Sequence, residues 1–104
     1  MTEPFDLTVS EAASAIREKH LSSVELMESL ISISQKLDPL LQVWVTLDPE
    51  SAIASSRLSD RNLHNDGPSG PLHGIPIGVK DIFNTQDMRT TNGSHIYRHF
   101  QPDF

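Results

Sequence analysis

Lys80 is the side chain whose position best suits it to chemistry. It follows directly on Ile75-Pro76-Ile77-Gly78-Val79, a short, β-branched and nearly all-apolar run. Burial beside such a run strips water from an ammonium and favours the neutral amine, the form that can accept a proton. Arginine could not serve in this way, because it stays charged in essentially any protein setting. The plainer alternative is a lysine at a strand end that snorkels to water or pairs with Asp81, and residue type alone favours it. The serine pairs Ser22-Ser23 and Ser55-Ser56 have no glycines around them. Helix capping and a solvated helix face are their natural explanations. His95 and His99 are four apart, but no third ligand or acid stands at suitable spacing, so no metal site is expected. His73 is expected to make a structural hydrogen bond, Trp44 to be a core or interface aromatic, and Arg89 to be a solvated loop charge. Gly74 and Gly78 are read as permitting close backbone approach. They match neither the P-loop spacing nor the dinucleotide fingerprint, and no cofactor is expected. Neither Gly-x-Ser-x-Gly nor Ser-x-x-Lys occurs, so the usual esterase and penicillin-binding serine patterns find no support.

The elements that must position Lys80 follow from the pattern. Thr8-Val9-Ser10-Glu11 and Ser22-Ser23-Val24-Glu25 are capping-box sequences, in which a hydroxyl and a carboxylate satisfy each other's backbone donors. They predict helices over about 8–19 and 22–37. Leu26, Leu30, Ile33 and Leu37 form the second helix's apolar stripe, and Asp38-Pro39 is expected to end it, because the residue before proline avoids the helical region. The alternation Leu41, Val43, Val45, Leu47 predicts a strand over about 41–47. Asp48-Pro49 reads as a cap and first position of a third helix over about 49–63. Residues 65–71 are a loop by composition, and residues 75–79 suit a strand covered on both faces. The expected class is therefore α/β. A two-stranded sheet cannot bury itself, so the 104 residues read as the beginning of something larger.

Composition narrows the partners. The 104 residues carry 14 acids against 8 Lys and Arg, for a net charge of −6. That balance argues against nucleic-acid binding and against an electrostatic grip on anionic membranes. The apolar runs fall well short of the roughly 20 residues that cross a bilayer. Residues 1–6 lack the basic and apolar regions of a secretory signal. With no cysteine, disulfide scaffolds and thiolate chemistry drop out, and the cytoplasm is the default location.

The run Gly70-Pro71-Leu72-His73-Gly74-Ile75-Pro76-Ile77-Gly78-Val79-Lys80-Asp81, followed by Thr90-Thr91-Asn92-Gly93-Ser94, closely resembles the opening of the amidase signature family. Upstream, the two amphipathic helices, Val43-Trp44-Val45-Thr46 and the Asp-Pro-Glu helix start are similar to that family's N-terminal region, so the resemblance spans nearly the whole chain. It implies a large mixed β-sheet flanked by helices, of which residues 1–104 are the N-terminal part of a single amidase domain. It also implies a Ser–cis-Ser–Lys triad whose lysine maps onto Lys80. A neutral Lys80 would take a proton, through a bridging serine, from a nucleophilic serine that attacks a carboxamide carbon.

The family's two serines lie in a Gly/Ser-rich stretch C-terminal to the lysine motif, and the chain ends before any such stretch. Ser94 matches the element that precedes those serines and is not read as the nucleophile. The expectation is therefore a hydrolase of non-peptide carbon–nitrogen bonds in a longer parent, with this segment supplying only the lysine and inactive alone. Its partner would be a small-molecule amide, with homo-oligomers or amidotransferase subunits also open. The alternatives are the A component of a glutamine amidotransferase acting in aminoacyl-tRNA amidation, and a non-catalytic truncated relic or interaction module.

Overall fold

The structure is a computed structural model, and it describes residues 3–80, 83, 88 and 101. Three α-helices dominate the described residues: α1 (Val9–Arg17), α2 (Ser23–Leu41) and α3 (Pro49–Asp66), preceded by a 3-10 turn at Pro4–Asp6. Each helix begins on a local device written in the sequence. Thr8 and Glu11 form a reciprocal capping box on α1, and Ser22 and Glu25 form another on α2. The Asp48 side chain accepts from the Ser51 N–H to start α3, with Pro49 in the first turn, where its missing N–H costs nothing. On α1 the Thr8 backbone N–H, and secondarily the Thr8 hydroxyl, hold the Glu11 carboxyl below its ordinary range.

The end of α2 departs from the sequence expectation. The helix does not stop before Pro39 but continues through it to Leu41, and Gln42 ends it in the left-handed conformation with its N–H on the Asp38 carbonyl at 2.7 Å. Proline removes one helical hydrogen bond and crowds the preceding turn. The helix tolerates this one loss near its C-terminus, where two further residues complete it. Leu41 is consequently helical and exposed, and it cannot open a strand.

The two predicted strands, Leu41–Leu47 and Ile75–Val79, form no β-ladder among the described residues, so the expected mixed sheet is not formed there. Val43, Trp44 and Val45 are exposed, as are Ile77 and Val79.

The chain divides into two compact units. The first comprises Met1–Gln42 and Asp48–Pro76, the second Val43–Leu47 and the chain from Ile77 onward. The first unit has a small core of Ala12, Ile16, Leu26 and Leu63, with Leu7, Leu21, Leu30 and Ile75 packed against it. Ile16 is fully buried. In the second unit the Trp44 ring lies against the Cα side of Gly78, where an added Cβ would stand 3.4 Å from the indole. No helix among the described residues is long and apolar enough to cross a membrane.

Candidate active site

The segment leading to Lys80 begins as a double turn. Hydrogen bonds from His73 N to Gly70 O (3.2 Å) and from Ile75 N to Leu72 O (3.0 Å) close two successive four-residue turns. Pro71 takes the second position of the first turn, which its fixed φ suits. Gly74 takes the third position of the second with φ +81°, a backbone conformation that favours glycine. Gly-Pro-Leu-His-Gly is thus the sequence of a particular backbone path.

Three side chains, Arg17, Ser23 and His73, fasten this path to the helices. The Arg17 guanidinium donates to the Pro71 carbonyl at 3.1 Å. The Ser69 N–H donates to His73 Nδ1 at 3.1 Å, and the Ser69 hydroxyl lies 2.9 Å from the same nitrogen. Nδ1 is therefore an acceptor, so Nε2 carries the hydrogen and donates to the Ser59 carbonyl of α3 at 2.7 Å. Both ring nitrogens are engaged in holding the loop, which makes His73 a structural histidine. The Ser23 hydroxyl, at the first residue of α2, donates to the Gly74 carbonyl at 2.7 Å. The backbone N–H groups of Ser23 and Val24 in turn donate to the two oxygens of Asp60 on α3, at 2.7 and 3.1 Å. Asp60 thus satisfies two donors that a helix N-terminus leaves open.

Lys80 itself, in the second unit, is exposed among the described residues, and its carbonyl accepts from the Phe83 N–H at 3.1 Å. Asp81, Arg89, Thr90–Ser94, His95 and His99 lie outside the described residues. Among the described residues, no group of three or more His, Asp or Glu could hold a metal ion.

The serine pairs agree with their sequence reading in part: Ser22 caps α2 and Ser55 is exposed. Ser56, however, is buried rather than solvated and donates back to the Ala52 carbonyl at 2.9 Å. Ser23 is 2 % exposed and tied to Gly74. Nothing local in the sequence announces that bond, since its partners are 51 residues apart.

The amidase family matches residues 25–104, which include the double turn and Lys80. The chain belongs to the amidase family. The A component of the glutamyl-tRNA(Gln) amidotransferase of Geobacter metallireducens is 38% identical over 102 residues, 98% of this chain and 21% of that protein. Mycobacterium tuberculosis AmiD, which carries an amidase name, is 39% identical over 98 residues, 94% of this chain and 21% of its own length. The peptide amidase of Stenotrophomonas maltophilia superposes with a TM-score of 0.88 at 29% identity, covering 98% of this chain and 22% of that structure. This amidase-family chain therefore spans about one fifth of the length of the relatives it matches.

Proposed function

We propose that these residues belong to a hydrolase of carboxamide bonds, in which Lys80 is the proton acceptor of a Ser–cis-Ser–Lys triad. The observation behind this reading is that the family match includes both the Gly70–Ile75 double turn and Lys80. In the reaction, the nucleophilic serine gives its proton through the bridging serine to the Lys80 amine as its oxygen attacks the carboxamide carbon. Backbone N–H groups stabilise the oxyanion. Collapse of the tetrahedral intermediate breaks the C–N bond, and Lys80 returns the proton to the departing nitrogen. Water then attacks the acyl-enzyme by the same route and releases the acid.

Both serines, on this reading, are supplied by chain beyond residues 1–104, so the 104 residues alone hydrolyse nothing. The same remaining chain dries the Lys80 amine, and it completes a mixed sheet with residues 43–47 and 75–79. The exposed Val43, Val45, Ile77 and Val79 support that part of the reading, because apolar strand faces of this kind require cover. The location proposed is the cytoplasm.

A second reading, as the A component of a glutamine-dependent amidotransferase, is favoured by the relatives from Geobacter metallireducens and Beijerinckia indica, the latter 40% identical over 104 residues. One assay separates the two. The intact protein is incubated with simple carboxamides, and separately with glutamine, ATP and misacylated tRNA, with and without candidate partner subunits. Release of ammonia from simple amides by the protein alone is the expected result. Turnover only with glutamine, tRNA and partners would replace the first reading by the second, and no turnover in either would remove both.

A further inference from the structure

We propose that Trp44 is a positioning residue for amide hydrolysis: its indole restrains the backbone at Gly78, and Lys80 follows two residues later. This rests on the reading of Lys80 as the proton acceptor. Trp44, Gly78 and Lys80 all belong to the second compact unit. The far edge of the indole makes the contact. An ideal Cβ on Gly78 would stand 3.4 Å from Trp44 Cη2 and 3.7 Å from Trp44 Cζ3, ordinary van der Waals distances for carbon. One carbon atom therefore just fits between the backbone and the ring, and a larger side chain would take the space of the ring itself. Tryptophan suits such a stop, because it presents a large rigid face with only two side-chain torsions to fix.

Gly78 is where such a contact has leverage. Glycine has the freest backbone of any residue, so an outside restraint on it has the most motion to remove. From Gly78 to Lys80 the chain spans at most about 7 Å. Beyond the lysine, the Lys80 carbonyl accepts from the Phe83 N–H at 3.1 Å. Lys80 thus stands between a packed glycine on one side and a closed turn on the other. Removing the indole releases the first of these restraints, and misplacement of about 1 Å from a site remote from the chemistry can lower a rate about a hundredfold.

An aromatic that only stabilised the fold would behave otherwise: its loss would lower the folded fraction and leave the rate per folded molecule unchanged. The test is steady-state carboxamide hydrolysis by the intact enzyme for Trp44→Ala, Gly78→Val, the double variant and Lys80→Ala, each corrected for the folded fraction. Trp44→Ala and Gly78→Val are each expected to lower kcat about fivefold or more, with KM within about twofold of wild type. The valine displaces the ring only where the ring is present. The double variant should therefore keep a kcat at least about threefold above the product of the two single effects. A smaller fall in either single variant, a change in KM as large as that in kcat, or a double variant that matches the product overturns the proposal. Should Trp44→Ala or Gly78→Val not fold, Trp44→Phe, whose ring stops short of the Cη2 position, or Gly78→Ser, with one heavy atom beyond Cβ, carries the same test at a threshold of about threefold. Full activity in Lys80→Ala would instead sink the reading of Lys80, and the two failures are told apart by which variant keeps its rate.

Discussion

Lys80→Ala in the intact amidase is expected to lower kcat for carboxamide hydrolysis by at least about a thousandfold, equivalent to about 4 kcal/mol of lost transition-state stabilisation. The loss is large because a serine hydroxyl is a weak nucleophile until its proton has somewhere to go. Substrate binding does not use that proton, so KM should change little, and circular dichroism should show an unaltered fold. Lys80 is not among the residues of the helical core around Ile16, so truncating it leaves that core intact. Turnover within tenfold of wild type would remove Lys80 from the chemistry.

The second large effect falls on folding. Gly74→Ala places a side chain where φ is +81° and where the new Cβ meets Ser23 and Ile16 at 3.3–3.4 Å. The left-handed backbone alone costs an L-residue about 1–2 kcal/mol. Neither neighbour is free to retreat, since Ile16 is fully buried and Ser23 is hydrogen-bonded on two sides. A total of about 2–4 kcal/mol is expected once overpacking is included. That is a substantial part of the roughly 5–15 kcal/mol by which domains are stable. Urea titration of wild type and variant measures it, and a midpoint unchanged by the substitution would show that the Leu72–Ile75 turn is not as tightly held as its geometry indicates.

The features of this molecule legible in its sequence are mostly local. The Thr8–Glu11 and Ser22–Glu25 boxes and the Asp48 cap each involve residues three apart, so they can be read without knowing the fold. The motif around Lys80 is legible for the same reason: Pro71 and Gly74 each stand where a specific turn position needs them. Non-local features are not legible. Pro39 reads as a helix end, but an αL residue at Gln42 terminates the helix instead. Residues 41–47 and 75–79 alternate or run apolar as strands do, yet no β-ladder forms there among the described residues. Ser23 and Asp60 are ordinary surface types in the sequence. Their bonds span 37 residues to one another and 51 from Ser23 to Gly74, distances over which no pattern rule operates. The anchoring of the Gly70–Ile75 turns is therefore the part most hidden.

On the proposed mechanism the residue at position 80 accepts a proton rather than merely carrying charge. Lys80→Arg tests this directly, because the variant keeps a long cationic side chain but cannot become a neutral base. Hydrolysis of a simple carboxamide by the intact enzyme is the measurement. Lys80→Arg is expected to be nearly as inactive as Lys80→Ala, whereas wild-type turnover in the arginine variant would mean that position 80 accepts no proton.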